Sequence, residues 1–132
     1  MKAKVLLRVA SVLMLVHTLG HSIGAMTWNQ APSPVLKRVI DGMVSNHFDF
    51  MGKSVTIGSF YAGYGYSMMA ILLFVTITLW LLSNEPQFKI VLLLGLFLVV
   101  LGVLEFYFFF PLPAVLSALA GLSTLWAYSK RS

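Results

Sequence analysis

Four runs of apolar residues, each long enough to cross a bilayer, constrain this chain more than any other feature. They cover residues 5–26, 59–82, 88–109 and 112–128. A helix needs about 20 mostly apolar residues to cross the hydrocarbon core of a membrane. Only 10% of the residues are charged, against about 25% in a soluble domain. So few charged side chains could not form the water-facing surface of a soluble protein. The sequence therefore predicts an all-α integral membrane protein, with residues 1–132 forming a single transmembrane domain built as a four-helix bundle.

Cysteine content and charge exclude two further classes of protein. The chain has no cysteine, which excludes disulfides, iron–sulfur clusters and cysteine-ligated zinc. The net charge of +5 does not indicate nucleic-acid binding, because no basic face with interleaved aromatic residues lies outside the apolar runs. The basic residues instead cluster at the ends of those runs, where anionic lipid headgroups attract them. We therefore expect membrane lipids and no nucleic acid as partners, while a homo-oligomer stays open.

The basic residues also predict the orientation of the chain in the membrane. Four spans place both termini on one side, together with Lys2, Lys4, Arg8, Lys89, Lys130 and Arg131. The opposite side carries only Lys37, Arg38 and Lys53. Cytoplasmic segments of membrane proteins carry an excess of lysine and arginine. The asymmetry therefore favours an orientation with both termini in the cytoplasm.

A helix of another kind is predicted between the first two runs, over residues 34–46. Ser33 is a suitable N-cap, and Pro34 occupies the first helical position, where its missing N–H costs nothing. Apolar residues then recur with helical period on one face, and charged residues fill the other. The segment is too short and too polar to span, so we expect an amphipathic helix that lies in the outer interface. The following residues, 46–54, predict an irregular connection with a turn at Gly52.

Polar side chains within and beside the runs concentrate toward the outer membrane surface. At about 1.5 Å per residue, His17 and His21 lie within roughly 15 Å of the outer end of the first run, and Glu105 within about 8 Å of the outer end of the third. An ionisable group at this depth costs about 2.5–3.5 kcal/mol and normally faces the protein interior beside a partner. The sequence therefore predicts a polar and aromatic pocket below the outer surface. Its predicted lining is His17, His21, His47, Asp49, Tyr61, Tyr64, Tyr66 and Glu105.

The histidine pair leaves several interpretations open. His17 and His21 share one helical face, from which they can join helices by hydrogen bonds or bind a divalent metal ion together with Glu105. Haem is disfavoured, because its axial ligands must come from opposite sides. The zinc-protease pattern requires a glutamate where Thr18 stands. The cofactor is thus unknown, with a divalent metal as the open candidate, and an enzyme that uses Glu105 or a histidine as acid or base is a further alternative.

Glu105 gives the preferred functional hypothesis. It is the only acidic residue within an apolar run, and no lysine or arginine at its depth offsets its cost. The neighbouring histidines and tyrosines can each donate a hydrogen bond to a carboxylate or to a polar head group. We therefore expect the protein to bind a lipophilic small molecule with Glu105 as the central polar group. A purely structural or partner-assembly role is the alternative.

Three short segments carry a resemblance to other proteins. "HTLGHSIG", "HFDFMG" and "FYAGYGY", in this order, resemble a family of small bacterial four-helix membrane proteins. The resemblance extends over most of the chain and implies the four-helix fold and a bacterial inner membrane as the location, but it implies no substrate. The architecture is also loosely similar to the sterol isomerase and sigma-2 receptor group, which holds amphiphilic amines or sterols with intramembrane carboxylates and aromatic residues. Only Glu105 and the aromatic residues match that group.

Overall fold

The computed structural model describes residues 2–130 and is dominated by helices. In chain order these are α1 (Ala3–Thr27), α2 (Pro34–Ser45), α3 (Ile57–Asn84), α4 (Phe88–Phe108) and α5 (Pro111–Ser129). Between α2 and α3 the chain forms two short strands, β1 (His47–Phe50) and β2 (Lys53–Thr56). The helices α1, α3, α4 and α5 are long and apolar enough to cross a membrane. The prediction of four membrane-length helices is thereby confirmed.

Proline determines where α4 gives way to α5. The Phe109 N–H still donates to the Glu105 carbonyl at 2.9 Å, which closes the last turn of α4. Phe109 and Phe110 then adopt extended backbone, and Pro111 begins α5 in its first turn. Proline fits the first turn of a helix because it has no N–H to leave unsatisfied there, whereas inside a helix it would remove a hydrogen bond. The two helices therefore form a hairpin joined by a very short link.

Residues 2–19 and 71–130 form one compact unit, which we call the first unit. Its buried residues recur every three or four positions, as on α3 at Leu72, Val75 and Leu79. The outward faces are also apolar: Leu93, Phe97 and many other large aliphatic and aromatic side chains are exposed. Hydroxyl-bearing residues instead lie inside, among them Ser11, Thr18, Thr76, Ser117 and Thr124. An apolar exterior around a partly polar interior suits a lipid environment, where the outer surface need not contact water.

Hydroxyl groups that are buried or partly buried join three helices of the first unit. The Ser11 hydroxyl on α1 donates to the carbonyl of Thr76 on α3 at 2.8 Å. The Ser123 hydroxyl on α5 donates to the carbonyl of Leu6 on α1 at 3.0 Å. The beginning of α1 therefore lies beside the later halves of both α3 and α5.

Helices α4 and α5 approach each other closely at glycine. A Cβ added at Gly102 would lie 2.9 Å from the Ala118 nitrogen and 3.1 Å from the Ala114 oxygen. A Cβ at Gly121 would lie 2.8 Å from the Val99 nitrogen. Two of these three distances are shorter than a side chain tolerates, and all three neighbouring atoms belong to the backbone and cannot rotate away. Small residues allow such backbone contact between helices in membranes.

Residues 20–70 form the second unit, which contains α2 and the two strands. The Ser33 hydroxyl caps α2 by accepting a hydrogen bond from the Leu36 N–H at 3.2 Å, and Pro34 lies in the first turn, as the sequence predicts. Ile40 is buried, whereas Val35 and Val39 are exposed. The helix thus has apolar residues that no described part of the chain covers. Its place in the membrane interface stays a prediction.

The connection after α2 differs from the predicted irregular loop. Residues 47–50 and 53–56 pair as an antiparallel hairpin, with His47 opposite Thr56 and Phe50 opposite Lys53. Its two-residue turn consists of Met51 and Gly52, with φ of 52° and 81°. Two successive positive φ values match the turn whose twist suits a hairpin. Gly52 is the predicted turn residue, but a methionine with positive φ is uncommon.

Gly102→Ala is expected to destabilise the first unit by about 1–3 kcal/mol, because the added methyl must push α5 away from α4. The matched control is Gly20→Ala, since within residues 2–130 a Cβ built at Gly20 meets nothing within 4 Å apart from its chain neighbours and the nearby backbone of its own helix. That variant should be unchanged or slightly more stable, because alanine is the better helix former. Unfolding in detergent, followed by circular dichroism, measures both. Equal stability of the two variants would contradict the close approach.

Candidate functional site

Three polar side chains from three helices meet inside the first unit. His17 of α1 places its Nε2 atom 3.4 Å from Oε1 of Glu105 on α4. The Nδ1 atom of the same ring lies 3.1 Å from the hydroxyl oxygen of Ser117 on α5. Their exposed fractions are only 5% for His17, 6% for Glu105 and 0% for Ser117. We call these three residues the polar cluster.

The glycine contact between α4 and α5 explains why the polar cluster forms. Glu105 follows Gly102 by three positions, so both residues lie on the same side of α4. Ala114 and Ala118 of α5 contact that glycine, and Ser117 lies between them in sequence. The backbone approach at Gly102 therefore brings the Ser117 hydroxyl close to the Glu105 carboxyl. His17 then completes the set from α1.

The polar cluster can hold a proton between an imidazole and a carboxyl group. With His17 protonated, both ring nitrogens donate, one toward Glu105 and the other to the Ser117 oxygen. With His17 neutral, one ring nitrogen donates and the other accepts, and Ser117 can fill either role because a hydroxyl is both donor and acceptor. Such contacts are strengthened by the low local dielectric of an interior. The arrangement therefore accommodates more than one protonation state without moving a helix.

One atom of the polar cluster lacks a partner. Within residues 2–130, Oε2 of Glu105 is buried and accepts no hydrogen bond. A buried polar atom without a partner typically costs about 1–3 kcal/mol, and it calls for an explanation such as a bound molecule, an ion or a water. The second carboxyl oxygen is thus free to accept a hydrogen bond from a group outside the described residues.

The metal set of His17, His21 and Glu105 stays a prediction, because His17 and Glu105 belong to the first unit and His21 to the second. Within residues 2–130, no group of three or more His, Cys, Asp or Glu side chains is arranged to hold a metal ion. Both ring nitrogens of His17 already face Glu105 and Ser117. The Nε2 atom of His21 lies 3.0 Å from the Gly65 carbonyl oxygen. Because a carbonyl oxygen only accepts, Nε2 of His21 donates in this contact.

His21 belongs to the second unit and has a different environment from His17. Its contact with the Gly65 carbonyl joins the last turns of α1 to the beginning of α3. A Cβ at Gly65 would lie 3.2 Å from the Ala25 side chain, so glycine permits the close approach of the two helices here. Within its unit, His21 therefore serves as a hydrogen-bonding link between helices.

The remaining predicted site residues lie on exposed parts of the second unit. Tyr61, Tyr64 and Tyr66 are all more than half exposed, and Tyr61 packs against Trp28 with ring centroids 5.2 Å apart. Asp49 is exposed on β1, and His47, also exposed, directs Nδ1 to the Ser45 carbonyl oxygen at 3.1 Å. Of the eight predicted residues, the structure brings His17 and Glu105 into direct contact. A single pocket lined by all eight stays a prediction.

Sequence reasoning missed Ser117. A usable signal exists, since Ala114, Ser117, Gly121 and Thr124 place small residues at every third or fourth position of α5. All four are buried. A stripe of small residues marks the face of a membrane helix that packs against another helix. A serine within that stripe is therefore placed to bond across the contact.

Comparisons with known proteins do not assign the chain to a family. No family model, no curated protein and no solved structure matches it. The resemblance carried by the three short segments therefore stays a prediction. The class of protein rests on the fold, which is that of a helical protein with four helices able to cross a membrane.

Ser117→Ala should lower the free energy of unfolding by about 0.6–1.7 kcal/mol, which spans the average and the largest value measured for side-chain hydrogen bonds between membrane helices. It should also change the ¹⁵N chemical shifts of the His17 ring, because Nδ1 loses its partner. Ser129→Ala is the control, since Ser129 is exposed on the same helix and bonds only locally to Trp126. Unchanged ring shifts in Ser117→Ala would contradict the contact.

Proposed function

We propose that this chain is a multi-pass membrane protein that binds a lipophilic small molecule at the polar cluster, with Glu105 as the central polar group. The observation that carries the proposal is the buried Oε2 atom of Glu105, which has no hydrogen-bond partner within residues 2–130. A hydroxyl, an amide N–H or a protonated amine of a ligand can donate to this atom. The ligand would then provide the missing hydrogen bond.

The apolar surroundings of Glu105 favour a ligand with a small polar head and an apolar body. Leu104, Phe106 and Phe108 next to it on α4 are exposed on the outside of the first unit. In a membrane these side chains would face lipid, so a molecule dissolved in the bilayer can approach α4 without entering water. Sites for small molecules typically combine apolar walls with a few placed polar groups. Glu105, His17 and Ser117 would be those groups.

The placement in the membrane is part of the proposal. We propose a four-helix transmembrane bundle in a bacterial inner membrane, with both termini in the cytoplasm. The excess of lysine and arginine in the segments that would face the cytoplasm supports this orientation. We also propose that α2 lies in the outer interface, which is supported by its exposed apolar residues Val35 and Val39 beside the exposed Lys37–Asp41 ion pair.

A structural role for the polar cluster is the second candidate. It is favoured by the two contacts of the His17 ring, which link α1 to both α4 and α5. In this case Glu105 would hold helices together and bind no ligand. The two candidates differ in what the loss of the carboxyl group does to folding.

Glu105→Leu is expected to abolish retention of the ligand while the protein still folds, and its melting temperature should stay equal or rise because leucine suits an apolar environment better. Mass spectrometry of the organic extract of purified protein measures the ligand, and circular dichroism measures folding. Glu85→Gln is the control, because Glu85 is exposed outside the long helices. A Glu105→Leu protein that cannot fold would favour the structural role, and unchanged folding with unchanged ligand content would contradict binding.

The orientation is tested with single cysteines, which are unambiguous because the chain has none. Ser54→Cys on the hairpin should react with a membrane-impermeant maleimide in intact cells. Ser129→Cys at the end of α5 should react only after the cells are lysed. Both positions are exposed. The reverse pattern would show that the orientation is inverted.

A further inference from the structure

One end of the first unit is strongly basic. The hydrogen bond from Ser123 to Leu6 places the beginning of α1 beside the later half of α5. Gly95 of α4 packs against Leu125, which brings the beginning of α4 to the same end. This basic end therefore collects Lys2, Lys4, Arg8, Lys89 and Lys130, with Glu85 as the acidic residue in the adjoining turn.

Arg8 is the cation of the basic end whose position is fixed by a contact. Its guanidinium carbon lies 4.9 Å from the centroid of the Trp80 ring, over the aromatic face. Its Nε atom is buried and has no hydrogen-bond partner within residues 2–130. Within residues 2–130 the ion pairs are His17–Glu105 and Lys37–Asp41. Neither pair includes Arg8. A charged group with donors still to be satisfied is thus held in place.

If α1 and α3 cross a membrane, Arg8 and Trp80 would lie near its headgroup region. Arg8 lies five residues after the first residue of α1, or about 7.5 Å along the helix, and Trp80 lies about 6 Å before the end of α3. Tryptophan is enriched at this level. The long apolar stem of an arginine can stay against protein while its charged head reaches the headgroups.

We propose that Arg8 binds the phosphate group of an anionic phospholipid at the basic end. Contact with Trp80 occupies one face of the planar guanidinium, whereas the N–H groups lie at its edge, in the plane, and take no part in that contact. Two of these N–H groups can donate to two oxygens of one phosphate, a geometry that lysine cannot reproduce. Lys4, one helical turn earlier on the same side of α1, adds a second positive charge. The surrounding lysines favour an anionic lipid over a zwitterionic one, whose own cation they repel.

The test is native mass spectrometry of the full chain in detergent, titrated with phosphatidylglycerol or with phosphatidylcholine. The wild-type protein should retain phosphatidylglycerol in preference to phosphatidylcholine. Arg8→Gln should weaken phosphatidylglycerol binding by about tenfold, the loss expected for hydrogen bonds to a charged group. Lys53→Gln is the matched control, because it removes the same charge from an exposed position in the second unit. Equal retention of the two lipids, or an equal loss in both variants, would overturn the proposal.

Two further measurements test the geometry of the contact and the source of the phosphate group. Arg8→Lys preserves the charge, so it tests the two-oxygen geometry even if Arg8→Gln fails to fold; undiminished lipid preference in Arg8→Lys would overturn the proposal. Inorganic phosphate distinguishes the source of the phosphate group. If it raises the melting temperature as much as phosphatidylglycerol does, and Arg8→Lys reduces both effects, the site binds a phosphate ion and the lipid assignment is overturned. Stabilisation by the lipid alone supports it.

Discussion

The close approach of α4 and α5 at Gly102 is the contact on which the chemistry of the first unit depends. Backbone atoms of α5 occupy the space where a side chain on Gly102 would be. One turn further along α4, the same approach sets Glu105 beside Ser117, and His17 contacts both. With a wider spacing between these helices, the carboxyl group would lose its hydroxyl neighbour and the imidazole its link between two helices. A packing feature therefore determines an electrostatic one.

The polar cluster contains atoms with polar neighbours and one atom without a hydrogen-bond partner in the described part of the chain. Both ring nitrogens of His17 have neighbours, whereas one oxygen of Glu105 has none within residues 2–130. A cluster that served stability alone would gain by pairing every atom, because each buried orphan carries the full cost of its lost solvation. The unpaired oxygen of Glu105, and not the histidine contact, is therefore the observation on which we base the proposal of ligand binding.

Local signals in the sequence predicted most of the fold. The Ser33–Pro34 pair located the beginning of α2, and the apolar runs located four long helices, because both depend on neighbours in the chain. The hairpin was missed because Gly52 alone indicates a turn but not its type, and methionine rarely takes the first position of such a turn. Ser117 was missed because its partner His17 is 100 residues away, a distance that no local pattern covers.

Arg8 and Glu105 show how side-chain length decides what a charge in an apolar helix can do. Both have a buried atom without a partner within residues 2–130. The arginine has a long stem and a planar head that lies against Trp80, so its remaining donors can face the headgroup layer. The glutamate is short and is directed toward His17, so only a group that comes to it inside the protein can reach its second oxygen. We therefore propose different partners for the two groups, a lipid phosphate for Arg8 and a donor-bearing ligand for Glu105.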